Sequence, residues 1–223
     1  MNSLTEENYL KEIYSLLAQK KKPVSTNELA KRMRTKASSV TDMVKKLSSK
    51  DLVHYKPYHG VTLSDSGKRT ALNIIRKHRI WETFLVEKLH FNWDEVHEIA
   101  EQLEHIQSPE LIRRLHAYIG SPDYDPHGSP IPSEDGEIIA ENRKVLGDLA
   151  EGESAVIVGV KNSSKEFLKH LDKLNLHLGT TVTVKEVNTF DYSMQVNTQQ
   201  KDLVLSDQVC SNLFIKPMNT QNG

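Results

Sequence analysis

The sequence predicts a mainly α protein with a small β component: an N-terminal winged helix-turn-helix, a helical middle, and a strand-rich, barrel-like C-terminal domain. Three observations carry this expectation. Apolar residues recur at helical spacing through the first half, a short alternating hairpin pattern follows the third helix, and after "SPDYDPHGSPIPSEDG" the pattern switches to short β-type runs.

In chain order, "TEENYLKEIYSLLAQ" places Leu10, Ile13, Tyr14 and Leu17 on one helical face, with Thr5 as the expected cap and Asn8 three residues on. Pro23 breaks that helix, and "STNELAKRM" reads as a second one capped by Ser25 or Thr26. After the turn "RTKA", Val40, Val44 and Leu47 in "SSVTDMVKKLSSKDLV" mark a third, so two helices joined by a short turn form a helix-turn-helix. "LVHYKPYHGVTLSDSGKR" alternates on both sides of "YHG", predicting a two-stranded wing, with Ser64 or Asp65 capping the long helix that follows. That helix carries His78 and Glu82 one turn apart.

The stretch "EVHEIAEQLEHI", residues 95–106, predicts a helix with Val96, Ile99, Ala100, Leu103 and Ile106 as its apolar stripe. His97, Glu101, Glu104 and His105 then share one adjoining strip. "SPELIRRLHAYIG" adds a helix. The runs "SAVIVGVKN", "TTVTVKEV", "SMQVNT" and "DLVLSD" read as strands, with a helical interruption at "SKEFLKHLDKLNL". The expected domains are residues 1–73, 74–140 and 147–223.

The formal net charge of −1 conceals a polarised chain. Residues 1–80 hold 17 Lys and Arg against 7 Asp and Glu, whereas residues 81–223 hold 12 against 23. A basic head suits nucleic acid, although lysine-rich helices also serve solubility. The single cysteine, Cys210, excludes an intrachain disulfide and a thiolate metal cage. With no membrane-spanning run and no export signal, the expected location is the cytoplasm.

The surface of the third helix points to double-stranded DNA. Ser38, Ser39 and Thr41 are short hydrogen-bonders near its N-terminus, and Lys45 and Lys46 lie further along, as in a helix that reads base edges and contacts phosphates. Thr35 and Lys36 before the helix and His59 at the wing tip complete the expected DNA-facing set. The plain alternative is a helix pair used only for packing.

Imidazoles and carboxylates at i, i+4 spacing suit a divalent transition ion, because two of them reach one ion from a single helix. A solvated acidic face is the plain alternative, and a metal-dependent hydrolase uses similar ligands. A hydrolase leaves the basic head unexplained. A metal-independent DNA-binding regulator leaves the aligned ligand types unexplained.

With "SSVTDMVKKL", "RKHRIWETFL" and "VHEIAEQLEH" in this order, the chain resembles, over essentially its full length, the diphtheria toxin repressor family of iron- and manganese-dependent transcriptional repressors. The resemblance implies a homodimer, helical metal-binding and dimerisation elements, and an SH3-like (FeoA-type) C-terminal domain. It implies an ion acting as corepressor, Mn²⁺ or alternatively Fe²⁺, operator DNA as partner, control of metal-homeostasis genes, and no enzymatic activity. His78, Glu82 and His97 match ligand positions of the iron-sensing branch, and Glu101, Glu104 and His105 match the E-x-x-E-H run of the manganese-sensing branch. The carboxylate of Glu101, where iron sensors have cysteine, favours Mn²⁺. "DPHG" is similar to the C-P-H-G of streptococcal manganese repressors, which implies a second site of Glu82, Asp125 and His127 completed by Glu166. The chain departs from the pattern at Asn8, where manganese members carry aspartate, and at Lys11, where some carry glutamate.

Overall fold

The computed structural model describes residues 3–138 and 143–218, which divide between two compact units. The first takes residues 3–81, Glu101–Arg113 and Ile131–Ile138, and the second takes Glu82–Ala100, Arg114–Pro130 and residues 143–218.

In the first unit, α1 (Leu4–Lys20), α2 (Thr26–Arg32) and α3 (Ala37–Ser49) precede a hairpin of β1 (Val53–Lys56) and β2 (Gly60–Leu63). Leu10 and Ile13 of α1, Leu29 of α2, and Val40, Val44 and Leu47 of α3 are buried together with Val53 and Val61 of the hairpin. The apolar spacing of these short helices therefore converges on one core, which supplies the stability that such short segments lack alone. The hairpin pairs Val53 with Leu63 and Lys56 with Gly60, and Val24 bridges to Val61, which fastens the wing to the helices.

The cap of α1 differs from the expectation. Ser3, not Thr5, is the N-cap, in a reciprocal capping box with Glu6, so the helix starts earlier and Thr5 lies inside it. Ser25 caps α2 in the same way with Glu28. The long helix α4 (Asp65–Leu89) starts where the Ser64 hydroxyl accepts from the Gly67 amide at 3.1 Å. A Cβ at Gly67 would stand 1.8 Å from the Leu52 carbonyl oxygen, so only glycine permits this approach of helix to wing.

α4 contributes to both units, as do α5 (Val96–Leu103) and α6 (Pro109–Tyr118). The second unit contains an antiparallel sheet in the order β3-β8-β4-β5-β6-β7. Its strands are β3 (Lys144–Val145), β4 (Ser154–Val160), β5 (Thr181–Val187), β6 (Met194–Thr198), β7 (Asp202–Leu205) and β8 (Leu213–Pro217), with a 3-10 turn at Leu146–Asp148. Register shifts at Ile157/Gly159 and Val184/Glu186 bend the sheet. Its core gathers Ile157, Val182, Val196 and Ile215 with Leu168 and Leu171 of α7 (Lys165–Leu174). Cys210, at the end of α8 (Asp207–Cys210), is buried in that core, and burial pushes its thiol up to about 12, so it is a packing residue.

Candidate metal centre and nucleic-acid interface

The second unit holds one of the two ligand groups. Glu82 is buried on α4, and "DPHG" folds as a tight loop in which Asp125 Oδ1 accepts from the amides of His127 (2.8 Å) and Ser129 (2.9 Å). Gly128 stands at φ +78°, and a Cβ there would meet the Val158 oxygen at 2.3 Å and Gly159 Cα at 2.4 Å. The His127 carbonyl accepts from the Val160 amide at 2.8 Å, which pins the loop to β4. Ligand atoms of Glu82, Asp125 and His127, all three residues buried, consequently lie within 4.8 Å of one another.

Trp93 orients this group. Its carbonyl lies 2.8 Å from His127 Nε2, its indole stacks on the imidazole at 6.2 Å, and its Nε1 donates to Asp172 of α7 at 2.9 Å. On the other side of the ring, Nδ1 lies 3.5 Å from Glu82 Oε2. Burial alone would lower the His127 pKa, but the Glu82 bond and the charges of Glu82 and Asp125 outweigh it and push it up to about 9. The ring holds a proton at neutral pH, and a metal ligand must give it up. His97, exposed on α5, points Nδ1 at Glu82 Oε1 from 3.2 Å. Glu166 is exposed in the first turn of α7 and does not belong to the three-residue group.

The first unit treats the predicted strip differently. α5 ends at Leu103, short of the expected 106, so Glu104 and His105 stand in a turn and the four residues do not share one helical strip. Val96 and Ala100 are buried as expected, while Ile99, Leu103 and Ile106 are half-buried. Glu104 is completely buried and faces His78 Nδ1 at 2.5 Å and Lys11 Nζ at 2.7 Å. Burial would raise the Glu104 carboxyl, but the His78 hydrogen bond and the Lys11 charge hold it below the usual range. At Glu104 a lysine supplies the balancing charge. His105 Nδ1 meets Glu7 at 2.7 Å, and Gln107 donates to the other Glu7 oxygen at 2.8 Å. Glu101 is exposed and lines a shallow cleft with Asn8, Lys11, Glu12, Arg32 and Arg34. Glu101, Glu104 and His105 do not bring their ligand atoms into one group among the described residues. Glu7 and Trp93 carry contacts that helical periodicity does not mark.

The expected DNA-facing residues all belong to the first unit. Thr35, Lys36, Ser38, Ser39 and Lys45 are exposed at and along α3, and His59 is exposed at the wing tip. Two positions are partly committed elsewhere. The Thr41 hydroxyl donates to the Ala37 carbonyl at 2.9 Å, and Lys46 Nζ lies 3.2 Å from Glu6.

A recognition helix with a wing in one unit, and buried carboxylate–imidazole groups elsewhere in the chain, define a DNA-binding regulator of the metal-dependent class. Comparison with known proteins agrees. Residues 1–61 match the N-terminal DNA-binding domain of iron-dependent repressors, residues 64–133 their metal-binding and dimerisation domain, and residues 144–217 the FeoA domain. The chain belongs to the iron-dependent repressor family of metal-dependent transcriptional repressors. An uncharacterised HTH-type transcriptional regulator of Methanocaldococcus jannaschii is 40% identical over 113 residues, covering 51% of this chain and 90% of that protein. The iron-dependent repressor IdeR of Mycobacterium tuberculosis is 32% identical over 134 residues, covering 59% of this chain and 58% of that repressor. A manganese-dependent transcriptional repressor solved in complex with manganese superposes with a TM-score of 0.82 at 32% identity, covering 95% of this chain and 99% of that one. No described helix is long and apolar enough to cross a membrane.

Proposed function

We propose that this protein is a cytoplasmic, homodimeric repressor of metal-homeostasis genes that binds double-stranded operator DNA when a divalent ion, Mn²⁺ in preference to Fe²⁺, fills the group of Glu82, Asp125 and His127. The observation that carries the reading is this buried O, O, N donor set, its ligand atoms within 4.8 Å of one another, in a chain that also presents an exposed polar α3. Carboxylate and imidazole donors suit first-row divalent ions, and the absence of thiolate favours the harder Mn²⁺, as does the manganese-bound relative. Affinity order alone favours other metals, so selectivity rests on ligand hardness and supply.

The chain's own residues do the rest. His127 would give up its proton, Trp93 keeps the ring oriented through its carbonyl, His97 stands beside Glu82 as a further donor, and Glu166 of α7, outside the three-residue group, is the proposed additional ligand. Glu82, Asp125 and His127 would hold the ion, whose positive charge would take the place of the His127 proton beside Glu82. Glu82 lies on the same continuous helix, α4, that begins against the wing. In the dimer, the two α3 helices would then lie about 34 Å apart, one DNA turn, with Ser38 and Ser39 at base edges and Lys36, Lys45 and His59 toward the backbone. The double change Asp125→Asn, His127→Ala tests the reading. It should remove one Mn²⁺ per chain by calorimetry and elemental analysis, and an unchanged count would return "DPHG" to an ordinary turn.

A further inference from the structure

The ligand types around Glu104 are already saturated by the chain itself. Lys11 Nζ donates to Glu104 Oε1 at 2.9 Å and to Oε2 at 2.7 Å, and lies 3.4 Å from His78 Nδ1. The second carboxylate, Glu7, is taken by His105 and Gln107. A second lysine, Lys77, is buried with Glu7 and Glu104 as the charges that act on it. The lysine stem of Lys11 is only 16% exposed and its acid 1%, so this is a built-in contact and not a surface pair.

A divalent ion bound by Glu104 and His78 would need the oxygens and the ring nitrogen that Lys11 now faces. It would then stand about one hydrogen-bond length from an ammonium, in a region where charges are weakly screened. The two cations exclude each other. This donor set, unlike that of Glu82, Asp125 and His127, does not fit a metal while Lys11 is in place.

We propose that Lys11 is the resident cation of the Glu104–His78 group, a tethered ammonium standing where a divalent ion would otherwise bind. It staples α1 to the turn after α5 whether or not metal is present, and it leaves Glu82, Asp125 and His127 as the ion-responsive set. The proposal rests on the metal-responsive reading above and divides its ligand residues into a permanent group and a responsive one.

The test uses the full chain with Mn²⁺ alone as probe, comparing the parent with Lys11→Met and Lys11→Gln by calorimetry and elemental analysis, alongside thermal melts. Each variant should bind one more ion per chain than the parent, and adding Glu104→Gln should abolish that gain. Lys11→Arg should keep the parent's count. A variant that is unfolded without Mn²⁺ and folds when it is added shows the same exchange of ion for ammonium. No gain in either variant, or a variant that stays unfolded at saturating Mn²⁺, would overturn the assignment. The parent's own count speaks separately to the proposed function: a parent that binds no ion while the variants gain one would refute the metal-responsive set and uphold the role of Lys11.

Discussion

The Glu6 carboxylate lies 2.8 Å from Lys50 Nζ and 3.2 Å from Lys46 Nζ, which ties the first turn of α1 to the end of the recognition helix and the residue after it. The next residue, Glu7, receives His105, and one turn further on Lys11 holds Glu104. One helix thus carries, at neighbouring positions, the contacts to α3 and the contacts to the turn after α5. Any shift of α1 is felt at both.

That contact sets a pH dependence. The Lys50 hydrogen bond, opposed by burial and aided by Ser3 and Lys46, holds the Glu6 carboxyl down to about 2, from an ordinary value of 4.5. A depressed carboxylate stabilises the fold above its unfolded pKa and loses that contribution as pH falls through the folded value. Glu6→Gln should therefore lower stability by about 1 kcal/mol at neutral pH, the lysine ends being partly exposed and screened. The difference between variant and parent should shrink from pH 4.5 downward and vanish near pH 2. Parallel melts across this range check it, and a constant difference would mean the charge plays no part.

The two lysines of α3 should differ. Lys45 is exposed, whereas Lys46 faces Glu6. Lys45→Ala should weaken DNA binding for every sequence and lower the salt slope by roughly 1, the signature of one lost phosphate contact. Lys46→Ala should produce a smaller slope change together with a loss of stability. Equal slopes for both variants and the parent would place the phosphate contacts elsewhere.

The winged helix was legible because its evidence is local: Val40, Val44 and Leu47 mark one face, and the wing alternates about a turn. β8 was not anticipated. "LFIKP" is short and ends in proline, and only its pairing with β3 and β4, more than fifty positions back in the chain, makes it a strand inside the sheet. The strip of residues 97–105 failed for a related reason, since apolar spacing continues to Ile106 while the helix ends at Leu103. Glu7 reads as an ordinary polar position of an amphipathic helix, and Lys11 stands out only as a departure from the resemblance. Their partners stand 98 and 93 positions away, a relation that no local pattern records. The loop "DPHG" was legible through resemblance, but its closeness to Glu82 depends on the fold.

Gly128 offers a test of that loop without touching a ligand. Its positive φ, and the 2.3 Å clash that a Cβ would make with the Val158 oxygen, mean that Gly128→Ala must displace the loop from β4. The expected cost is about 1–3 kcal/mol, the range for a side chain forced into a left-handed conformation. Mn²⁺ affinity should fall with it, because Asp125 and His127 are set by the same turn. A destabilised variant with unchanged Mn²⁺ affinity would show that the loop does not contribute ligands.

The central claim is that a divalent ion gates specific DNA binding. Its most direct test is fluorescence anisotropy on a duplex selected from a random pool with Mn²⁺ present, titrated with the full-length protein at fixed ionic strength in excess Mn²⁺ and in excess chelator. Mn²⁺ should give tight, sequence-selective binding, and chelator should leave only the weak, salt-sensitive association of a basic surface. Equal affinity and equal selectivity in the two conditions would contradict it.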